Sequence, residues 1–150
     1  MMGKAMKTQT QYVAGFLFSE DRAKVALIRK KRPKWQAGRL NGIGGHVEPG
    51  ESPPQAMVRE FAEETGLQIT TWELFATRTG PGFTVRCYVA FSRFLDTVKT
   101  TTDEDVEIWY VNDLQLAGML PDLRVLILLA LDQTGIAKPV HLIDDARAAA

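Results

Sequence analysis

The chain is short of cysteine, of surplus charge and of long apolar runs, and each shortage closes off a class of function. Cys87 is the single cysteine among 150 residues, so neither an intramolecular disulfide nor a cysteine-rich zinc site can form within the chain. It lies in a strand-like run and reads as a small core residue. Lys and Arg number 18 against 18 Asp and Glu. A net charge of zero gives no bulk attraction for nucleic acid, although a local basic patch would still serve a nucleotide. No apolar stretch approaches the ~20 residues of a membrane span, and the opening Met1-Met2-Gly3-Lys4 lacks the apolar core of a secretory signal. The expectation is a cytoplasmic protein with no membrane partner and no strong nucleic-acid binding. No repeat or linker divides it, and its length suits one domain over residues 1–150.

What the chain has is carboxylate density in residues 45–67, GHVEPGESPPQAMVREFAEETGL. Ser52 reads as a helix cap, Pro53 as the first helical residue, and Gln55 completes a capping box. Gly66 is the stop, since glycine tolerates the left-handed conformation that ends a helix. Met57, Val58, Phe61 and Ala62 recur at helical spacing and form an apolar face. Glu60, Glu63 and Glu64 fall on an adjacent face, directly behind a glycine-rich loop. Like charges at i, i+3 and i+4 repel one another, so this turn needs a compensating cation. Oxygen-only donors suit magnesium, or manganese in its place; the alternative is a solvated acidic face.

Elsewhere residues 12–18, 24–28, 67–78, 83–94 and 106–111 read as strands. Residues 79–82 form a turn, 100–105 a loop, 113–117 a short helix, and the apolar run 123–131 a helix packed on the sheet, with a buried strand as its alternative. The tail 144–150 is frayed or helical. The basic run at residues 29–34 is either a solvated loop or a phosphate-binding segment.

Gly45, Glu51, Arg59-Glu60, Glu63-Glu64, Gly66 and Leu67 stand in the order G-x5-E-x7-RE-x2-EE-x-G-L, which resembles the Nudix hydrolase box at every fixed position. Phe61 is the soft departure, where the family usually carries Ile, Leu or Val. The resemblance implies an α/β protein, an α/β/α sandwich around a mixed sheet. It further implies a loop-helix-loop that holds magnesium against a diphosphate. By the same resemblance Glu60, Glu63 and Glu64 bind metal with help from the Gly45 carbonyl. Arg59 would be structural, pairing with Glu51.

A second resemblance concerns the substrate. Gly38 to Gly45 with Lys30, Lys31 and Arg32 upstream looks like the MutT-like enzymes that hydrolyse oxidised purine nucleoside triphosphates. It implies a base-pocket role for Asn41, whose amide can offer both a donor and an acceptor; the alternative is a plain Asn-Gly turn. Glu104 matches an acid outside the box that reaches the metal or activates water, with Asp105 and Glu107 as competitors. Trp109 reads as a core aromatic. Residues 119–123 resemble a base-pocket segment and bring in Leu120 and Asp122, although Leu120 and Leu123 stand where a tryptophan and a second aspartate occur in the mammalian enzyme.

The reaction so implied is metal-dependent hydrolysis of a nucleoside diphosphate linked to X, with a nucleoside triphosphate giving a monophosphate and pyrophosphate. Lys30, Lys31 and Arg39 would stabilise the phosphate charge, and the general base is left open among Glu60, Glu64 and Glu104. Pro81 is a competing hint of an ADP-ribose or nucleotide-sugar pyrophosphatase. A non-catalytic nucleotide-binding module is the rival from another class, and messenger-RNA decapping is a third reading. A small-molecule nucleotide is the expected partner, to a monomer or homodimer.

Overall fold

A computed structural model describes residues 9–144; residues 145–150 of the expected tail lie outside the described residues. Eight strands form one mixed sheet among them: β1 (Thr10–Phe18), β2 (Lys24–Arg29), β3 (Leu40–Asn41), β4 (Ile43–His46), β5 (Glu73–Gly80), β6 (Phe83–Phe91), β7 (Asp105–Tyr110) and β8 (Val140–Ile143). Two helices, α1 (Pro53–Thr65) and α2 (Leu123–Leu131), complete the frame.

The sheet is organised by a divergence of β1 and β2. They pair only at Leu17–Ala26 and Phe18–Val25 and then part. The β3–β4 segment enters the gap: β3 pairs with the end of β2 at Ile28–Asn41, and β4 with the start of β1 from Tyr12–His46 to Gly15–Ile43. On its other edge β1 runs parallel to β6 along its whole length. Antiparallel β5 and then parallel β8 follow, while β7 lines the outer edge of β2.

Both faces of the sheet are covered, which is why β1 and β2 read as nearly continuous apolar runs. Val13, Leu17, Ala26 and Ile28 point to one core with Met57 and Phe61 of α1. Phe16, Phe18, Val25 and Leu27 point to the other with Leu123, Leu126 and Ile127 of α2. Each Leu or Ile so buried contributes about 2 kcal/mol. This is the expected α/β/α sandwich.

Several local expectations are corrected. Residues 67–72 are not strand; Leu67, Ile69 and Trp72 instead pack as coil against the α1 core. Strand β5 begins at Glu73 and takes in Thr79 and Gly80, which leaves Pro81-Gly82 as the turn. Strand β6 stops at Phe91, and β7 starts one residue early and ends one early. The short helix is a 3-10 turn over Val111–Leu116. The glycine-rich loop is the pair β3–β4, and β8 was not expected at all. On α1 the buried face is Ala56, Met57, Phe61 and Thr65, with Val58 and Ala62 only partly covered.

A candidate metal-diphosphate site

The α1 N-terminus forms as its sequence dictates. The Ser52 hydroxyl accepts from the Gln55 amide and the Gln55 side chain accepts from the Ser52 amide, which closes the capping box. At the other end Gly66 is left-handed at φ 74° and its N–H returns to Ala62 O. Phe61 is fully buried edge-on to Trp72, with ring centroids 5.1 Å apart. The helix is thereby fixed at both ends and along its inner face.

Glu60 projects from α1 onto β4. A Cβ at Gly45 would stand 2.6 Å from the Glu60 carboxylate, so glycine is the residue that lets this acid lie against the strand. The Glu60 side chain is only 13% exposed. Burial pushes its pKa up, the Arg59 guanidinium opposes this, and the neighbouring Glu63 and Glu64 charges push it further up. Glu63 is exposed and Glu64 half-buried.

Arg59 is the cation among these acids. It holds Glu51 in a two-point pair at 2.7 and 2.9 Å, reaches the His46 carbonyl at 3.0 Å, and touches Glu60 at 2.9 Å and Glu63 at 3.2 Å. Its hydrogen bonds bring the Glu51 pKa down to about 2. The predicted Arg59–Glu51 pair is therefore present, and the same guanidinium bridges helix, loop and β4.

A buried acid lies in the loop after β6. Glu104 is 5% exposed and accepts from the Lys31 N–H at 2.6 Å, the Lys30 ammonium at 3.0 Å and the Arg32 N–H at 3.4 Å. Burial alone would raise its pKa, but these donors hold it below the usual carboxylate value. The same loop is tied to α1, with Thr102 donating to the Glu64 carboxylate at 2.8 Å and Thr101 to the Glu63 carbonyl. Of its two competitors, Glu107 is paired with Arg29 at 2.7 Å and Asp105 is exposed. Asp103, beside Glu104 in the sequence, pairs with Arg32; Thr101 and Thr102 carry no mark in the sequence. A polar loop carries no signal of where it docks.

The residues expected to read a base are placed less simply. Asn41 accepts from the Gly42 N–H at 2.8 Å and donates to Gln36 at 3.3 Å. Leu120 is 7% exposed within the α2 core. Asp122 is ion-paired at 2.5 Å with Arg78, which also holds Asp144 at 2.9 Å. Arg78 stays charged although half-buried, because both acids outweigh the cost of its burial. Arg78 is the one cation of β5, which also carries Glu73, Thr77 and Thr79, so nothing in the sequence pattern marks this node. Lys31 and Arg39 are exposed and Lys30 is partly covered beside Glu104. Cys87 is buried, and its thiol is pushed up to about 12 by burial. Trp109 packs at the α2 core and donates to Glu107 at 2.9 Å.

A NUDIX domain model matches residues 8–128, most of the chain. The chain belongs to the Nudix family. Nudix relatives of known activity match over shorter stretches. The CTP pyrophosphohydrolase of Escherichia coli is 43% identical over 54 residues, 36% of this chain and 40% of that protein. The 8-oxo-dGTP diphosphatase of Escherichia coli is 34% identical over 65 residues, 43% of this chain and 50% of that protein. The matched stretches thus span half or less of these relatives. Among solved structures, the Nudix domain of Shewanella oneidensis NrtR in complex with ADP ribose superposes with a TM-score of 0.73 at 24% identity. That likeness covers 87% of this chain and 91% of the other.

The Nudix carboxylates fit a divalent cation in chemistry more than in their present geometry. All are hard oxygen donors, and Glu60 is a buried acid beside two like charges. Among the described residues, however, no three acids, histidines or cysteines converge on one point. Arg59 occupies the space between Glu60 and Glu63, so a cation there would displace one guanidinium contact while the Glu51 pair keeps Arg59 in place. No helix among the described residues is long and apolar enough to cross a membrane.

Proposed function

We propose that this chain hydrolyses a nucleoside diphosphate linked to X, and that a nucleoside triphosphate, oxidised purines included, is its substrate. The products are a nucleoside monophosphate and pyrophosphate. The observation that carries the reading is the acidic turn of α1, with Glu60 seated on side-chain-free Gly45 and Arg59 locked to Glu51. Glu60, Glu63 and Glu64, with the Gly45 carbonyl and Glu104, would hold magnesium or manganese. The bound cation would supply neutralisation of the phosphate oxygens and a more acidic water.

The chain's own groups do the rest. Lys30, Lys31 and Arg39 stand on the β2–β3 segment, which Lys30 ties to Glu104, and would meet the phosphate chain, where fixed cations stabilise charge that develops on the bridging oxygen. Glu104 keeps Lys30 and the Lys31 amide in register with that chain. These donors hold Glu104 ionised, and the acid that takes the proton from water is one of Glu104, Glu60 and Glu64. Asn41 offers its amide to a base edge once Gln36 is displaced. Pro81 has a sufficient explanation in the tight turn before Gly82 at φ 82°, so ADP-ribose is a competitor to be assayed.

The test is a hydrolysis screen with magnesium over normal and oxidised purine triphosphates, pyrimidine triphosphates, ADP-ribose, dinucleoside polyphosphates and capped RNA. Release of pyrophosphate from a triphosphate is the expected result, and Glu63→Gln should lower kcat by roughly 100-fold or more while the protein stays folded. Near wild-type turnover in that variant would sink the site. No turnover of any substrate would favour a binding module instead.

A further inference from the structure

The basic segment between β2 and β3 divides its cations into two sets. Residues 29–47 contain six, Arg29, Lys30, Lys31, Arg32, Lys34 and Arg39, and not one carboxylate. Three of them are each matched by an acid from the loop after β6 or from β7: Arg29 with Glu107, Lys30 with Glu104 and Arg32 with Asp103. The side chains of Lys31, Lys34 and Arg39 are exposed and have no hydrogen-bonded or ion-paired partner among the described residues.

The segment is nevertheless an ordered structure. Lys30 N–H donates to Arg39 O at 2.9 Å, Gly38 N–H to Lys30 O at 2.7 Å, and the Arg29 guanidinium to Gly38 O at 3.1 Å. These bonds close a hairpin whose tip is the 3-10 turn Lys34–Gln36 with no buried residue. At that tip Trp35 is 65% exposed, whereas Trp72 and Trp109 are partly covered by core contacts. Its neighbour Gln36 accepts from Asn41 at 3.3 Å, which ties the tip of the hairpin to the residue expected to meet the first base. Single exposed apolar side chains occur elsewhere on the described surface, Leu116 and Ile143 among them; what sets Trp35 apart is its place in a segment whose Lys31, Lys34 and Arg39 are unpaired among the described residues. Unmatched cations around an exposed aromatic are the combination that binds a nucleotide unit by phosphate attraction and base stacking.

We propose that Trp35 with Lys31, Lys34 and Arg39 forms an outer subsite for a second nucleotide unit, so that the substrate extends beyond one nucleoside and its phosphates. This rests on the diphosphate reading of the α1 turn and names what X carries. The first base lies at Asn41, the phosphate chain crosses Lys31 and Arg39, and the second base stacks on Trp35. The second unit can be joined through a polyphosphate, as in a dinucleoside polyphosphate, or through a phosphodiester, as at the 5′ end of a short strand. Both present the same ring and charge.

The experiment is equilibrium binding at low salt in EDTA, where no turnover occurs. The probes are adenosine 5′-tetraphosphate, diadenosine tetraphosphate and the 5′-phosphorylated dinucleotide pApA. The tetraphosphate with one base carries the greater charge and would win on electrostatics alone. The expected result is that at least one two-base probe binds about tenfold more tightly, that Trp35→Ala removes this advantage, and that Trp35→Phe retains it. Which probe gains identifies the linkage. Equal or weaker binding of both two-base probes would overturn the subsite. So would a Trp35→Ala variant that weakens the one-base probe to the same extent, which would put the indole at the first base. Failure of the hydrolysis reading shows separately, as absent turnover in the magnesium screen.

Discussion

Gly45 and Glu60 are one device: the missing side chain of the first makes the space that the carboxylate of the second fills. Gly45→Ala places a methyl 2.6 Å from the Glu60 carboxyl carbon, and relief has to come from turning that acid away. The backbone there needs no left-handed angle, so the variant should fold and should bind manganese at least about tenfold more weakly, which calorimetry would read; an unchanged affinity would remove Glu60 from the ligand set. Glu51 allows a test by pH. Its folded pKa of about 2 lies below an ordinary 4.5, and a depressed carboxylate stabilises the fold above its unfolded pKa and loses that contribution as pH falls through the folded one. Wild-type stability should therefore decline between about 4.5 and 2 more steeply than that of Glu51→Gln, as denaturant titrations across that window would show.

Helix α1 is held by its ends, so its caps can be weakened without touching an acid. Ser52→Ala removes the acceptor for the Gln55 amide and should cost about 1 kcal/mol in unfolding free energy. Gly66→Ala forces a side chain into the left-handed region at φ 74° and should cost about as much. Both should leave turnover per folded molecule near wild type, and a loss of kcat beyond a few-fold would mean that the helix ends tune the acidic turn directly. The same locality explains what could be read from the sequence. Capping chemistry acts over three or four residues, so Ser52, Gln55 and Gly66 define α1 on their own. Strand β4 contains Gly44 and Gly45, and Gly42 separates it from β3, so the two strands look like loop, because glycine has poor strand propensity. They become strand only because β1 and β2 part and leave backbone edges to satisfy; a side chain on Gly44 would run into the Val13 carbonyl of β1. Residues 67–72 erred in the other direction, with strand-like composition spent on covering α1. The box acids were legible as a spacing, but the Arg59 contacts to Glu60 and Glu63 and the Thr101–Thr102 strap were not, since they depend on how remote loops dock.

At the scale of the molecule, neutrality conceals a separation of charge across the site. The acids from Glu48 to Glu64 gather on α1 and the loop before it, the cations gather on the β2–β3 hairpin, and Glu104 pairs with the latter. Placing acids together has a thermodynamic consequence in the metal-free protein. The folded pKa of Glu60 is raised, first by burial and then by Glu63 and Glu64. A raised carboxylate supplies stability that is present below its unfolded pKa and is lost as pH rises through the folded one. At neutral pH the ionised Glu60 therefore opposes folding, and Arg59 offsets this only in part. Glu60→Gln keeps an oxygen for the Arg59 hydrogen bond and removes the charge. Without metal it should melt a few degrees above wild type at neutral pH, with the gap closing as pH falls. Added magnesium should then raise the Tm of wild type by mass action and leave the variant nearly unmoved, so the two melting curves cross as the cation is titrated. If Glu60→Gln melts below wild type without metal, the acid stabilises the fold through Arg59, and the strain attributed to the acidic turn is not there.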